Sequence, residues 1–294
     1  MPGNNRTIIL SGGDRRELEL YRSWKRKGVS VKAAGFAQIP EMEEASEQDC
    51  REAAIFIAPL SGIDADGYVR APFAGGKWAL GTHLDGRAPG TILLTGSVAA
   101  PLKEKLAAQT TLIITGDDEE LTLLNAIPTA EGALQKAMEL SAVTLHGSDA
   151  LIFGLGRCGR ALAAALLGLG ARVTAVVRRA ENAALAYSMG VASCPLEEAG
   201  EAAGRADFIF NTAPAPLLTA TLLKKVKKDA IILDLASSPG GTDFAAAARL
   251  GLQAVLLPGL PGRAAPKTAS RILDKVYRRL IAETAGSKNI ERGS

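Results

Sequence analysis

The sequence predicts an α/β protein built from two doubly wound domains, each with a parallel sheet. Short apolar runs alternate with helical patterns along the 294-residue chain, which is the alternation of βαβ units. Each half of the chain also opens with an apolar run, a glycine turn and a helical pattern. A chain of this length is typical of two domains.

The first domain is expected to span residues 1–128. Its opening strand leads through Ser11-Gly12-Gly13-Asp14 into a helix at residues 15–27. Apolar runs predict its strands at 7–10, 29–33, 53–58, 91–94 and 111–115. Helical patterns predict further helices at 99–108 and 119–125.

A break in the helical pattern follows at residues 125–129, because Pro128 has no N–H to donate within a helix. Thr129 is expected to cap a new helix over residues 130–142. Residues 129–147 are therefore interpreted as a helical connection to the second domain.

The second domain, residues 148–262, begins with an apolar run followed at once by Gly154-Leu155-Gly156-Arg157-Cys158-Gly159. A G-x-G-x-x-G turn between a strand and a helix predicts a Rossmann dinucleotide-binding domain. The glycines permit a sharp turn, close approach of a pyrophosphate and close helix packing. Strands are expected at 150–154, 172–177, 207–211, 230–235 and 253–257.

The last segment, residues 263–294, carries apolar residues at helical spacing and predicts a long helix that returns to the first domain.

The end of the second Rossmann strand predicts NADP rather than NAD. An NAD site normally has a carboxylate there for the ribose hydroxyls, but this chain has Arg178 and Arg179 and no acid before Glu181. A guanidinium suits a 2′-phosphate. The simpler alternative is that both arginines are only solvated.

Other cofactor contacts are expected in the loops that follow the Rossmann strands, where ligands of open α/β sheets lie. Ordinary turn chemistry is the alternative for the same glycines and prolines. With the glycine motif and the two arginines, the candidates are Asn211, Thr212, Ala213, Pro214, Asp234, Leu235, Ala236, Pro258 and Gly259.

Composition argues against several classes of protein. The net charge is +3, the basic residues are dispersed and aromatic residues make up only 4%, so nucleic-acid binding has little support. Three scattered cysteines do not suggest a disulfide framework or a metal site. No apolar run is long enough to span a bilayer, and the polar N-terminus suggests a cytoplasmic protein.

Several stretches together resemble the A subunit of dipicolinate synthase, an oxidoreductase family of endospore-forming bacteria. The matching stretches are residues 11–15, 127–132, 145–148, 154–159, 234–243 and 258–269. The resemblance implies NADP-dependent oxidation of a dihydrodipicolinate-type ring to pyridine-2,6-dicarboxylate during sporulation, in the mother cell. It also implies a second, flavoprotein-like B subunit. We further expect a homo-oligomer.

Such a substrate is a small dianion, so cationic groups and N–H donors are expected around it. The N–H groups of the Gly12-Gly13 turn and of a helix starting near Glu131 are candidate donors, as is Arg263. The other candidate substrate-binding residues are Gly13, Asp14, Arg15, Ser61, Gly62, Thr82, Thr129, Ser237, Pro261, Gly262 and Thr268.

The candidate catalytic residues are His83, Lys267 and Glu131. His83 is placed in a loop of the first domain and would serve as general base, with a structural histidine as the equal alternative. His146 is interpreted as structural.

Other functions remain open from the residues alone. A D-2-hydroxyacid dehydrogenase would share the architecture, but it carries a histidine late in the chain, and none follows His146. Dehydrogenases of the alanine or methylenetetrahydrofolate type are possible on fold alone. A non-catalytic NADP-binding regulatory subunit is the alternative from another class.

Overall fold

The computed structural model describes residues 7–85 and 90–291. The described residues form two compact units. The first unit comprises the residues up to Thr122 together with those from Pro266 onward, and the second comprises Leu123–Ala265.

The first unit is built on a five-stranded parallel sheet of order β2-β1-β3-β6-β7, with a separate antiparallel hairpin, β4-β5. Its strands are β1 (Ile8–Ser11), β2 (Val31–Ala34), β3 (Ile55–Ile57), β4 (Tyr68–Ala71), β5 (Gly76–Ala79), β6 (Ile92–Thr95) and β7 (Thr111–Ile114). The five sheet strands match the predicted ones. The hairpin was not predicted, because its strands are largely exposed and lie among glycines.

The second unit has a six-stranded parallel sheet of order β10-β9-β8-β11-β12-β13, the order of a dinucleotide-binding sheet. Its strands are β8 (Asp149–Phe153), β9 (Arg172–Val176), β10 (Ala192–Cys194), β11 (Phe208–Asn211), β12 (Ile231–Asp234) and β13 (Gln253–Leu256). Buried apolar residues cover both faces of this sheet. The Rossmann prediction is therefore confirmed.

Twelve α-helices accompany these sheets in the part of the chain that the structure describes. They are α1 (Arg15–Arg26), α2 (Glu47–Glu52), α3 (Gly81–Leu84), α4 (Ala100–Gln109), α5 (Glu119–Leu140), α6 (Arg157–Gly168), α7 (Ala180–Ser188), α8 (Ala199–Arg205), α9 (Ala220–Leu223), α10 (Phe244–Arg249), α11 (Leu260–Ala264) and α12 (Pro266–Glu291). Among them, none is long and apolar enough to cross a membrane.

The C-terminal helix α12 packs against α1 inside the first unit. The buried indole of Trp24 donates a hydrogen bond from Nε1 to Asp274 Oδ1 at 2.5 Å. Arg279 on the same helix pairs with Asp118 and Glu120 at the start of α5. These contacts explain why a segment distant in sequence belongs to this unit.

Helix α5 corrects the predicted break at residues 125–129. The helix runs through Pro128 without interruption. The Thr129 hydroxyl donates to the Asn125 carbonyl oxygen at 2.7 Å, so Thr129 lies in mid-helix and is not an N-cap. Burial of Ala126, Ala130 and neighbouring residues offsets the hydrogen bond that proline cannot make.

Candidate active site

The glycine turn of the second unit is shaped to receive an anionic group. Gly154 has φ of 92°, and a Cβ on Gly159 would lie 2.2 Å from the Gly154 carbonyl oxygen, so neither position accepts a side chain without distortion. A Cβ on Gly156, in contrast, would meet no atom within 4 Å. Helix α6 begins there without a side-chain cap, which leaves its first N–H groups available to a phosphate. These residues fit the pyrophosphate of a dinucleotide.

The loop after β11 stabilises this turn through hydrogen bonds. The Thr212 hydroxyl donates to the carbonyl oxygens of Phe153 and Gly154, at 3.0 and 3.2 Å. The Asn211 side chain is fully buried and donates from Nδ2 to Asp234 Oδ1 at 3.0 Å. The predicted cofactor residues Asn211 and Thr212 therefore use their side chains within the protein.

Asp234, at the end of β12, is likewise buried and satisfied. Its carboxylate accepts hydrogen bonds from the Ala236 and Gly241 N–H groups, at 3.1 and 2.8 Å, and from the Thr242 hydroxyl at 2.6 Å. The carboxylate thus fixes the loop after β12. In the strand-end loops, Ala213, Pro214, Leu235, Pro258 and Gly259 retain some exposure, whereas Ala236 is buried.

Arg178 and Arg179 are exposed just after the end of β9. Neither forms an ion pair with any described residue. Arg157 is also exposed, at the first position of α6. Cys158 is partly buried beside Thr129, and burial raises the pKa of its thiol, so it is a poor nucleophile.

The glycine turn of the first unit is closed by its own hydrogen bonds. Gly12 N donates to Ala34 O and Gly13 N to Arg70 O, both at 2.8 Å. Asp14 N donates to Glu17 Oε2 at 2.8 Å as part of a capping box. The prediction that the Gly12-Gly13 N–H groups bind substrate is therefore wrong, because partners distant in sequence already occupy them.

A buried charged cluster lies directly under this turn. Asp14 accepts hydrogen bonds from Arg16 Nε and Nη2, both at 2.9 Å, and Arg16 is almost fully buried. Burial opposes ionisation of Asp14, but the hydrogen bonds and charge of Arg16 hold the pKa of that carboxyl below its usual value.

Glu17 is the member of this cluster that was not predicted from the sequence. It is fully buried, and its Oε1 has no hydrogen-bond partner among the described residues. Burial raises the pKa of Glu17 to about 7, although the charge of Arg16 opposes the rise. Tyr277 on α12 is fully buried as well, and burial together with the charge of Glu17 raises the pKa of its hydroxyl. The Asp14-x-x-Glu17 spacing of a capping box was the available sequence signal.

Two predicted substrate residues lie beyond the carboxyl ends of neighbouring strands of the first sheet. Arg15 follows β1 and Ser61 follows β3, and these strands are neighbours. Both side chains are exposed, whereas Gly62 is buried with φ of 85°. Arg70 is an exposed cation that was not among the predicted site residues, although its carbonyl oxygen accepts a hydrogen bond from the Gly13 N–H. No sequence pattern connects Arg70 to the turn.

His83 lies in the short helix α3, so its predicted loop position is wrong. Its ring stacks on the Trp78 indole, with centroids 4.7 Å apart and planes 6° apart. The neighbouring Thr82 hydroxyl donates to Ala79 O at 3.1 Å. The stack fixes the orientation of the imidazole.

The remaining candidates are distributed between the two units. Lys267 and Thr268 are exposed in the first turn of α12, and Ser237 and Arg263 are exposed in the second unit. Pro261 and Gly262 are buried in α11. Glu131 is exposed in the middle of α5, so the predicted helix start near Glu131 is wrong and no free N–H groups are available there.

Two family models match the chain. Residues 7–115 match the N-terminal domain of the dipicolinate synthase A subunit, and residues 125–239 match the NAD-binding domain of D-isomer specific 2-hydroxyacid dehydrogenases. The dipicolinate synthase A subunit of Bacillus subtilis (strain 168) is 33% identical over 285 residues, which cover 94% of this chain and 96% of that protein.

Solved structures agree with these matches. The dipicolinate synthase A subunit of Bacillus halodurans has a TM-score of 0.85 at 31% identity, covering 94% of this chain and 98% of that one. The corresponding polypeptide of the Bacillus subtilis enzyme has a TM-score of 0.84 at 32% identity, covering 98% and 99%. More distant structures, such as an L-alanine dehydrogenase at 15% identity and a TM-score of 0.62, share the fold alone.

The relative at 33% identity spans nearly the whole chain, and the second unit combines a dehydrogenase domain with an open glycine turn. The chain belongs to the family of dipicolinate synthase A subunits and is an oxidoreductase that uses a nicotinamide dinucleotide.

Proposed function

We propose that this protein oxidises a dihydrodipicolinate-type precursor to pyridine-2,6-dicarboxylate in a sporulating bacterium. The ring loses two hydrogens, one as a hydride and one as a proton. The observation that carries the proposal is the identity of 33% to a dipicolinate synthase A subunit over 94% of the chain. Aromatisation favours the loss, so holding the ring in place supplies much of the catalysis.

The cofactor that we propose is NADP, which would accept the hydride when bound. Gly154, Gly156 and Gly159 would hold its pyrophosphate at the start of α6. Arg178 and Arg179 would contact the 2′-phosphate, which is supported by their exposure at the end of β9 and by the lack of an acidic residue there.

The substrate carboxylates would be bound by exposed groups that follow the carboxyl ends of strands in the first unit. Arg15 and Ser61 follow neighbouring strands. Arg70 lies beside the Gly12-Gly13 turn that precedes Arg15, because its carbonyl oxygen accepts the Gly13 N–H. Lys267 is a further cation of this unit. His83, oriented by its stack on Trp78, would accept the ring proton. Glu131 has the weakest support, because it is an exposed residue in mid-helix.

The relatives are each one subunit of their enzyme, which supports a second subunit for this protein too. We propose that a flavoprotein-like B subunit of dipicolinate synthase is this partner. We also propose that the protein works as a homo-oligomer in the cytoplasm of the mother cell.

The test is dipicolinate formation by the purified chain from freshly prepared precursor. Reactions contain NADP or NAD, each with and without the B subunit, and the product is quantified by chromatography. Product with NADP and this chain alone supports the proposal. Tight NADP binding without product in any mixture supports the regulatory alternative and contradicts the proposal.

A further inference from the structure

The buried side of the first unit's glycine turn holds a group that the proposed chemistry does not use. Glu17 belongs to a capping box, but such a glutamate is normally at the surface, whereas this one is fully buried. Its Oε2 accepts the Asp14 N–H, and its Oε1 has no partner among the residues described. A buried carboxyl with one unpaired oxygen is costly as an anion.

The Glu17 side chain packs directly against the glycine turn. A Cβ on Gly13 would lie 2.5 Å from Glu17 Cγ, so the glutamate side chain occupies the space where a side chain at position 13 would lie. Arg15 follows directly after Asp14 and extends to solvent, while Arg16 turns inward to Asp14. Glu17 therefore lies within one helical turn of the cation that we assign to a substrate carboxylate.

We propose that Glu17 is a positioning residue whose charge sets how tightly the turn of residues 12–16 binds a dicarboxylate. The inference rests on the proposed function, since it assumes that Arg15 contacts the substrate. With Glu17 neutral, Asp14 and Arg16 cancel and Arg15 gives the turn one net positive charge. With Glu17 ionised, residues 12–17 together have no net charge and the attraction for a dianion weakens.

The groups facing Glu17 support a change near neutral pH. Arg16 favours the ionised form, whereas burial and the charge of Asp14 favour the neutral form, and they raise the pKa of Glu17 to about 7. Tyr277 on α12 stays neutral in this range, because burial and the charge of Glu17 raise its pKa. Substrate carboxylates are ionised throughout this range.

The experiment measures binding of pyridine-2,6-dicarboxylate to the full-length chain by calorimetry at pH 6, 7 and 8, with saturating NADP. In the wild type, the dissociation constant is expected to be roughly fivefold to tenfold higher at pH 8 than at pH 6. Glu17→Gln should remove this dependence, because glutamine still accepts the Asp14 N–H but has no charge. Glu19→Gln, two residues along α1, is the matched control and should keep the wild-type profile.

The outcomes separate this inference from the proposed function. No binding at any pH in the wild type overturns both. A flat wild-type profile overturns the inference alone, and this measurement needs no variant to fold. A profile that survives in Glu17→Gln but disappears in His83→Gln assigns the dependence to the histidine and also overturns it.

Discussion

The two units begin in the same way and use that beginning differently. Both have a strand, a glycine turn and a helix, at residues 8–26 and at residues 149–168. In the second unit the helix start is uncapped and a Cβ on Gly156 would point into open space. In the first unit Asp14 and Glu17 cap the helix, and Glu17 fills the space beside Gly13.

This difference shows that a glycine-rich turn before a helix is not sufficient for phosphate binding. What matters is whether the first N–H groups of the helix are satisfied from within the protein. In the first unit they are partly satisfied by the Asp14 carboxylate, which is also paired with the Arg16 guanidinium. The first unit is therefore a poor second nucleotide site. Ligand binding there would depend on exposed side chains such as Arg15 and not on backbone N–H groups.

The largest expected effect is on folding of the first unit, in Gly13→Ala. Gly13 has φ of 118°, and the added methyl would lie 2.5 Å from Glu17 Cγ. Backbone strain and the clash together should lower the free energy of unfolding by about 3 kcal/mol, measured by urea denaturation.

Gly28→Ala is the control for backbone strain alone. Gly28 has φ of 70° in the same unit, but its added methyl meets no atom within 4 Å. Its cost should be about 1–2 kcal/mol. An equal cost for the two variants would show that Glu17 does not fill the turn as described.

The second prediction concerns the open turn. In Gly156→Ala the methyl would meet nothing in the protein, and φ of −76° suits alanine, so stability should be unchanged. The methyl would fill the space that we assign to the cofactor pyrophosphate, and NADP affinity should fall by roughly 2 kcal/mol, or about thirtyfold.

Affinity for NADP is measured by fluorescence titration, with Gly168→Ala at the other end of α6 as the control. Gly168 also has open space around its Cβ position, but it lies far from the helix start. Wild-type affinity in Gly156→Ala would place the pyrophosphate elsewhere.

The third prediction is a stability change with pH that only the closed turn should show. The folded-state pKa of Glu17, about 7, is above its ordinary value of 4.5. The folded protein therefore retains a proton that the unfolded chain loses, so this contribution to stability is present below pH 4.5 and is lost as pH rises through 7.

Glu17→Gln should lack this loss. From pH 5 to pH 8, the unfolding free energy of the variant minus that of the wild type should increase by at most roughly 3 kcal/mol, which corresponds to the pKa difference. Urea denaturation at the two pH values provides the test. A constant difference between the two proteins would mean that Glu17 titrates normally.

Much of the fold was predictable because its strands are short apolar runs between turns. The Rossmann strands β8, β9, β11 and β12 lie within two residues of their expected bounds. Helix α5 was divided wrongly, because the proline signal at Pro128 is local whereas the packing that overrides it is tertiary. The β4-β5 hairpin was not predicted, because β4 is only four residues long and β5 shows no alternation of buried and exposed residues.

The candidate site was predictable only where the motif itself defines the geometry. Gly154, Gly156 and Gly159 act through their own backbone, so the spacing was sufficient. The first unit's turn depends on Ala34 and Arg70, whose contacts with Gly12 and Gly13 cross large sequence separations. Burial of Glu17 contradicts the usual exposure of charged residues and depends on α12, more than 250 residues away in the chain.

The smallest expected effect concerns the choice between the two dinucleotides at the open turn. Arg178→Asp replaces an exposed cation at the end of β9 with the carboxylate that favours an unphosphorylated ribose. Loss of a partly exposed charge pair with the 2′-phosphate should weaken NADP binding by about 1–2 kcal/mol, or roughly tenfold. Binding of NAD should be unchanged or improved.

The measurement is the ratio of NADP to NAD dissociation constants in the variant and the wild type. Arg249→Asp at the end of α10 is the control for a general change in charge. An equal drop in NADP affinity in both variants would reduce the effect to long-range electrostatics. An unchanged ratio in Arg178→Asp would mean that the arginines at the end of β9 are only solvated.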